Sequence, residues 1–391
     1  MRSQRNFRLA AGLAAAMLAP SAMSQAHAQG AKSPALRVYI GTYTEGPSKG
    51  IYLAEFDPST GTLTTPKAVG EVSNPSFLAV HPSRKFLYSV NEDASTAGKT
   101  GGAVSAFAVD PKTGALTLLN QESTKGAGPC HLVVDRTGKA VISANYGGGS
   151  VCSMPIGADG KVGPASTFIQ HKGEVADPAR QGGPHAHSAN IDASNKYAFV
   201  ADLGLDRIFV YKLDHETATL VPNDPPAAKV APKSGPRHFA FHPGGEYAYV
   251  INEISNTVTA FKYDAAAGTL QEIQTVTTLP ADFKGTSNTA EVQVHPSGKF
   301  VYGSNRGHDS IASFAVDQAS GKLTPTGFQA EGIKTPRNFG VDPTGAFVLV
   351  ANQAGDSISV FAVDQADGTL KPTGKSVAVP KPVCIKFVPV D

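Results

Sequence analysis

One phrase recurs six times along the chain, and this repeat constrains the fold more than any other feature. The copy at 236–252 reads PRHFAFHPGGEYAYVIN, and the copy at 336–352 reads PRNFGVDPTGAFVLVAN. Earlier copies start at Pro75, Pro129 and Ala186, and the six successive starts are 54, 57, 50, 53 and 47 residues apart. Periods near 40 to 50 residues with several short strands in each are typical of β-propeller blades.

Each copy contains the same four parts. Alternating apolar residues such as Phe239 and Phe241 predict a first strand. The sequence HPGG at 242–245 then predicts a type I turn, with Pro in the second position and Gly in the fourth. The returning strand covers 247–251, and a third strand leads through an Asp-x-x-x-Gly-x-Leu turn at 264–270 into a fourth. Each repeat therefore predicts one blade of four antiparallel strands.

The two ends of the chain supply a seventh blade. Segments 37–42, 50–56 and 62–72 match second, third and fourth strands, whereas 382–389 matches a first strand without successors. We expect the C-terminal strand to join the N-terminal blade, because this closes the ring and leaves no unpaired strand edge. The sequence thus predicts an all-β fold, a single seven-bladed β-propeller at 37–389. A chain of 391 residues would otherwise suggest two or three domains.

The N-terminal segment has the features of a secretory signal peptide. Three arginines precede a short apolar stretch at 9–23, and Ala26-His27-Ala28 forms an A-x-A cleavage site. We expect residues 1–28 to be removed and residues 29–36 to form a short linker. No other stretch is long and apolar enough to span a bilayer. The mature protein is therefore expected to be periplasmic or secreted, without a membrane partner.

The net charge bears on the binding partners, and the number of cysteines bears on the disulfides. The chain has 34 Lys and Arg against 32 Asp and Glu, a net charge of +2. Nucleic-acid binders usually carry a strongly basic face, so no nucleic-acid partner is expected. The three cysteines cannot all be paired, because their number is odd. Buried free thiols are the favoured interpretation, and one disulfide with one free thiol is the alternative. We expect a monomer.

The repeat also separates structural residues from candidate functional ones. An Asn or Asp follows the second strand in all six copies, and a second one comes four residues later in four of them; both predict Asx turns and loop ties. The start of the first strand and the slot after the repeated Asn carry reactive residues only in certain blades. Because these strands form a hairpin, both slots face one end of the channel. The ionisable residues predicted to meet at this mouth are His131, His187, Arg237, His238, Glu253, Glu291, Arg306 and Arg337.

Such a set suits an anionic or carbonyl substrate. Guanidinium groups bind carboxylates, phosphates and oxyanions, and a His or Glu can move a proton near neutral pH. The alternative is a purely structural ring of ion pairs. His185 and His187 would share a face of an extended strand, but no compact metal-binding spacing is present, so neither a metal nor a cofactor is expected. The sequence also lacks the Gly-x-Ser-x-Gly, Walker A and dinucleotide motifs.

Several phrases at these positions resemble the lactonase propeller family, which includes bacterial propeller-type 6-phosphogluconolactonases and fungal carboxymuconate cyclases. They are PHAHS at 184–188, DLGLD at 202–206, GPRH at 235–238, NE at 252–253, SNRGHDS at 304–310 and TPRN at 335–338. The resemblance covers essentially the whole chain after residue 28. It implies a metal-independent active site in the channel mouth, with His187, Arg237, Glu253 and Arg306 as its central residues.

The resemblance further implies hydrolysis of a sugar-type lactone. In this hypothesis Glu253 or His187 is the general base for an attacking water, and two arginines bind the substrate's anionic group or the developing oxyanion. The residues expected to bind substrate or to orient these groups are His131, His185, His238, Glu291 and Arg337. An exported enzyme would rarely meet a phosphorylated cytosolic lactone, so an unphosphorylated substrate is favoured. The alternatives are a carboxymuconate-type cycloisomerase and a non-catalytic propeller similar to the YVTN-repeat surface proteins.

Overall fold

The computed structural model describes residues 35–93 and 101–390, and the predicted signal peptide lies outside this part. The described strands form seven antiparallel sheets, and in six of them the strands are hydrogen-bonded in sequence order. The innermost strands of neighbouring sheets contact one another around the whole ring. The predicted seven-bladed β-propeller is therefore confirmed.

The first three blades are built from strands β1 to β12. Blade 1 contains β1 (Leu36–Thr42), β2 (Gly50–Asp57), β3 (Thr62–Leu63) and β4 (Lys67–Glu71). Blade 2 contains β5 (Leu78–Val80), β6 (Phe86–Asn91), β7 (Ala103–Val109) and β8 (Leu116–Ser123). Blade 3 contains β9 (Pro129–Val134), β10 (Ala140–Asn145), β11 (Ser150–Pro155) and β12 (Thr167–Gln170).

The remaining strands complete the ring. Blade 4 contains β13 (Ala186–Ile191), β14 (Tyr197–Asp202), β15 (Arg207–Asp214) and β16 (Thr219–Lys229). Blade 5 contains β17 (Pro236–Phe241), β18 (Tyr247–Asn252), β19 (Thr257–Asp264) and β20 (Thr269–Thr277). Blade 6 contains β21 (Asn288–Val294), β22 (Phe300–Arg306), β23 (Ser310–Val316) and β24 (Leu323–Gln329). Blade 7 contains β25 (Pro336–Val341), β26 (Phe347–Asn352), the 3-10 turn Gln353–Gly355, β27 (Ser357–Val363) and β28 (Leu370–Ala378), and β29 (Pro382–Pro389) follows.

The ring closes in blade 1 as the sequence predicts, but the outer edge of this blade differs from the prediction. Strand β29 pairs antiparallel with β1 and becomes the innermost strand of blade 1. The outer edge of this blade was predicted as one strand over 62–72, but it is broken into β3 and β4. Pro66 lies in the gap. Proline cannot donate a ladder hydrogen bond, which gives a physical reason for the break.

Neighbouring blades pack face to face through buried apolar side chains. Tyr249 of blade 5 shares one buried cluster with Val301 and Phe314 of blade 6. Its hydroxyl group also crosses the seam and donates a hydrogen bond to the Gly321 carbonyl at 3.1 Å. Tyr88 makes the equivalent bond from blade 2 to blade 3. A buried tyrosine thus contributes apolar area and satisfies its hydroxyl group at once, which holds adjacent blades in one register.

In four blades, the polar residue four positions after the repeated Asn or Asp ties its blade to the next innermost strand. Asp206 and Asp309 have left-handed backbones, with φ of 52° and 53°. Short polar side chains tolerate this conformation better than most. Asp206 accepts the Gly235 amide at 2.8 Å, and Asp309 accepts the Thr335 amide at 2.9 Å. These ties fix the points at which β17 and β25 enter the channel mouth, in agreement with the predicted loop-tie role.

Candidate active site

A β-bulge recurs where the innermost strands enter the mouth. The pairing register shifts between Ala186 and Ser188, between Pro236 and His238, and between Pro336 and Asn338. The inserted residues are His187, Arg237 and Arg337. A bulge leaves one residue without a ladder partner and re-aims its side chain, which is why bulges are frequent next to active sites. Three predicted site residues therefore owe their direction to a local irregularity and not to strand alternation.

These three side chains line one pocket. The pocket is narrow, and only about 10 Å³ of it is accessible to the centre of a water molecule. The residues that line it come from six blades and are Tyr43, Ser76, Phe77, Glu92, Cys130, His187, Arg237, His238, Arg337 and Val383. Two predicted residues, Glu253 and Arg306, adjoin this pocket through Arg237.

Glu253 lies at the centre of three arginines from separate parts of the chain. Nε of Arg237 donates to its Oε2 atom at 2.9 Å, and Nη2 of Arg306 donates to the same oxygen at 2.8 Å. Nη2 of Arg180, in the loop between β12 and β13, donates to Oε1 at 2.6 Å. Both buried arginines also donate to backbone carbonyl groups at the start of β21, at 2.7 and 2.8 Å. The guanidinium planes are thereby fixed from two sides.

This arrangement determines the charge of Glu253. Burial alone would raise the pKa of its carboxyl group, but Arg306, Arg237, Arg337 and Arg180 together lower the pKa to about 2. Glu253 is therefore ionised at neutral pH, and its oxygens are engaged by donors. A carboxylate with so low a pKa is a weak base.

Arg337 differs from these three arginines because it lacks an anionic partner. Within residues 35–93 and 101–390 its guanidinium group makes no hydrogen bond or ion pair. Its Cζ atom lies 5.4 Å from the centroid of the Tyr43 ring, a cation–π contact. The Tyr43 hydroxyl group donates to Glu92 at 3.1 Å. The pocket thus contains a guanidinium group whose donors are available to an anionic group of a ligand.

His238 and Glu291 form a buried pair on one side of the pocket. Nδ1 of His238 lies 3.1 Å from Oε2 of Glu291, and both side chains are at least 93% buried. Asn338 donates to the same carboxylate oxygen, and the Val292 amide donates to Oε1 at 3.0 Å. The Nε2 atom of His238 is buried and has no hydrogen-bond partner in the described protein. Burial raises the pKa of Glu291 to about 7, although Lys386 and Arg237 oppose this rise.

The other three predicted histidines occupy different depths. His187 lines the pocket, and its Nδ1 atom lies 3.6 Å from the Cys130 sulfur. Burial, followed by the charges of Arg237, His238 and Arg337, lowers the pKa of His187 well below its usual value. His131 does not line this pocket, and its ring is tilted against Phe77 with ring centroids 3.9 Å apart. His185 is only partly buried, and its ring stacks on Tyr146 at 4.5 Å. The structure therefore brings His187 and His238 to the pocket and leaves His185 at its rim.

Metal and thiol chemistry have little support in this geometry. No group of three or more His, Cys, Asp or Glu side chains in the described part of the chain is arranged to hold a metal ion. The bulge at His187 also breaks the extended segment on which it would share a face with His185. All three cysteines are buried and unpaired, so the free-thiol interpretation is confirmed and the alternative of one disulfide is wrong. Burial raises the pKa of Cys130 to about 12, which makes it a poor nucleophile.

Three residues of the site are absent from the sequence prediction. Arg180 lies in a long loop without repeat register, so nothing in the pattern indicates its contact with Glu253. Tyr43 follows β1 in the incomplete N-terminal repeat and is similarly hidden. Glu92 could have been found, because it occupies the slot after the repeated Asn that identifies Glu253.

The sequence similarity to known proteins covers nearly the whole propeller. Residues 37–387 match the family model described as lactonase, 7-bladed beta-propeller. The 6-phosphogluconolactonase of Bacillus subtilis (strain 168) is 38% identical over 350 residues, which cover 90% of this chain and 97% of the relative. The 6-phosphogluconolactonase of Formosa agariphila is 34% identical, covering 78% of this chain and 86% of that protein.

Solved structures agree with these sequence relationships. The structure of the Pseudomonas aeruginosa periplasmic gluconolactonase is 36% identical to this chain and superposes with a TM-score of 0.85. The match covers 91% of this chain and 100% of that one. Within the described residues there is no helix with the length and hydropathy needed to traverse a membrane.

Proposed function

This chain belongs to the lactonase family of seven-bladed β-propellers, and on that basis we propose that it hydrolyses a sugar-type lactone at the mouth of the propeller channel. The observation that carries this proposal is the excess of guanidinium groups at the pocket. Three arginines share the carboxylate of Glu253, and Arg337 has no ion-pair partner among the described residues. Hydrolysis of a cyclic ester develops negative charge on the carbonyl oxygen and ends in a carboxylate, and fixed guanidinium donors stabilise both.

Each arginine has a distinct place in this proposal. Arg237 lines the pocket and is held by Glu253 and a backbone carbonyl, so its remaining donors are already oriented before substrate arrives. Such preorganisation lowers the cost of stabilising an oxyanion at the moment of reaction. Arg306 bonds the same Glu253 oxygen as Arg237 and adds positive charge beside it.

The role of Glu253 is best assigned as the anchor of these arginines. The hypothesis that it acts as general base agrees poorly with its contacts, because three guanidinium groups hold its carboxylate and keep its pKa near 2. The proton acceptor for the attacking water is then one of the histidines that line the pocket, His187 or His238.

The substrate class follows from the relatives and from the predicted export. Two curated relatives are named 6-phosphogluconolactonases, and a structural relative is named a periplasmic gluconolactonase. If residues 1–28 direct export, the protein meets lactones in the periplasm or outside the cell. We therefore propose an unphosphorylated sugar lactone as substrate and a monomer as the working form, which light scattering on the purified protein tests.

The proposed activity is tested by proton release from lactones. The mature protein is mixed with D-glucono-1,5-lactone, its 6-phosphate and a five-membered aldonolactone in a weakly buffered pH indicator, with and without EDTA. The expected result is saturable turnover above the spontaneous rate that EDTA leaves unchanged. Replacing Arg237 with Ala should reduce kcat/KM by about 10²-fold or more, whereas the matched variant Arg207→Ala on β15 should not. Absence of turnover on every lactone would refute the proposal and favour a binding propeller.

A further inference from the structure

We propose that His238, oriented by the carboxylate of Glu291, is the proton acceptor for the attacking water, an inference that rests on the proposed lactone hydrolysis. Two residues from neighbouring blades create this pair. His238 comes directly after the bulge of β17, and Glu291 lies in the irregular start of β21. Glu291 does not line the pocket, so it acts through His238 as a positioning residue.

The hydrogen bonds around Glu291 fix the orientation of the imidazole ring. The Val292 amide and the Asn338 side-chain amide both donate to the carboxylate. The Asn338 side-chain amide cannot flip without losing a hydrogen bond, because its oxygen accepts the Ile385 backbone N–H at 2.9 Å. With these donors in place, Oε2 lies 3.1 Å from Nδ1 of His238 and is positioned to accept a proton carried by that nitrogen. An imidazole that donates from Nδ1 presents a lone pair at Nε2.

That lone pair belongs to a buried nitrogen with no partner in the described protein. The Nε2 atom of His238 is unsatisfied although the side chain is 94% buried, and a buried polar atom without a partner normally destabilises the folded state. The ring centroids of Phe77, His131 and His187 lie 5.7, 5.2 and 5.3 Å from the centroid of the His238 ring. His238 lines the pocket together with Arg237 and Arg337. The unsatisfied atom therefore lies where a water beside a bound lactone would need a base.

His187, the other histidine of the pocket, lacks such an arrangement. Its Nδ1 atom lies beside the Cys130 sulfur at 3.6 Å, and no carboxylate orients it. A weak sulfur contact neither fixes the tautomer of the ring nor stabilises the imidazolium that would form. A carboxylate does both, as in the Ser-His-Asp arrangement. His187 is better placed to contact the substrate than to remove a proton.

The reaction step balances with water as the second reactant. Nε2 of His238 takes a proton from the water while the water oxygen forms a bond to the lactone carbonyl carbon. The carbonyl oxygen becomes an oxyanion that faces the arginines. The tetrahedral intermediate then collapses, and the bond from this carbon to the ring oxygen breaks. The imidazolium returns its proton to that oxygen, which becomes the hydroxyl group of the open-chain hydroxy acid.

The pair should also give the reaction a pH dependence. Burial raises the pKa of Glu291 to about 7, and burial followed by Arg237, Arg337, Lys386 and Arg306 lowers that of His238. The two groups share protons, so the titration belongs to the pair. Only the deprotonated pair offers a lone pair at Nε2, and kcat/KM should therefore rise with pH through about 7. The charged or titratable groups that face the pair are Arg237 and Arg337 at the pocket, Arg306 and Lys386 beside it, and His131 and His187 across the channel.

The arrangement can be tested without turnover by nitrogen NMR of protein labelled with ¹⁵N-histidine. We expect the His238 signals, assigned with His238→Gln, to show a protonated Nδ1 and an unprotonated Nε2 at pH 8. Glu291→Gln should move the proton to Nε2, because the glutamine amide presents a donor where the carboxylate accepted. A wild-type His238 with its proton on Nε2 would overturn the inference.

The kinetic arm compares two buried histidines of the same hairpin. His238→Gln should lower kcat by 10²–10⁴-fold with little change in KM, the range for loss of a general base. The matched variant His242→Gln, at the β17–β18 turn and outside the pocket lining, should retain activity within about tenfold of wild type. Imidazole should partly rescue His238→Gly, and Glu291→Asp should keep more activity than Glu291→Gln and retain the pH profile. Wild-type turnover with nearly full activity in His238→Gln would refute this inference alone, whereas no wild-type turnover would remove the proposed function as well.

Discussion

Replacing Glu253 with Gln gives a direct test of the electrostatics at the mouth. The carboxylate is 8% exposed and receives donors from three arginines. Its pKa falls from 4.5 to about 2, and one pKa unit corresponds to 1.36 kcal/mol, so folding gains about 3 kcal/mol from its ionised form. Glutamine keeps the shape of the side chain but removes the charge, and it leaves the three guanidinium groups to repel one another.

The sign of the pH dependence follows from the lowered pKa. The contribution of Glu253 is complete above pH 4.5, and it is lost as the pH falls toward 2, where the folded carboxylate takes up a proton. Urea unfolding from pH 7 down to pH 3 should therefore show a difference between wild type and Glu253→Gln of about 3 kcal/mol at neutral pH that narrows with acid. The exposed Glu71 on β4 provides a matched control, because Glu71→Gln should be nearly neutral. A variant as stable as wild type at pH 7, or a difference independent of pH, would refute this account of the cluster.

Two further predictions address substrate binding and the ring itself. Arg337→Met should weaken competitive inhibition by the hydroxy-acid product about 10–100-fold, because the product carboxylate loses its charge-assisted donor; an unchanged inhibition constant would place the carboxylate elsewhere. His295→Ala should destabilise the protein by about 1–3 kcal/mol without changing kcat, since the ring bonds Gly345 of the next blade at 2.8 Å and lies at the turn opposite the mouth. A loss of activity in that variant at a temperature where it remains folded would contradict the separation of the two ends.

The repeat predicts much of this molecule because a blade is a local pattern. Strand order, the turn at 242–245, the closure by 382–389 and the convergence of Arg237, His238 and Arg337 all follow from residues at fixed offsets. The direction of the side chains in the site could not be predicted from the repeat alone. Alternation along a strand gives the face of each side chain only where pairing is regular, and the bulges at His187, Arg237 and Arg337 break that rule.

The chemistry of the acids was the least predictable part. Glu253 and Glu291 both occupy the starts or ends of channel strands, and the sequence suggests a similar protonation for each. Their neighbours separate them, because Glu253 is surrounded by three guanidinium groups, whereas Glu291 is buried against a histidine and two amides. One of these guanidinium groups belongs to Arg180 in a loop outside the repeat. Protonation thus depends on contacts between distant segments that no local spacing encodes.

A crystal structure with the hydroxy-acid product bound would show whether lactone chemistry occurs at the channel mouth. We expect the product carboxylate within hydrogen-bond distance of Arg237 or Arg337, with one of its oxygens beside Nε2 of His238. A cavity lined by Leu132, Val133 and Lys386 lies further along the channel. Product bound there, with the mouth arginines untouched, would contradict the account.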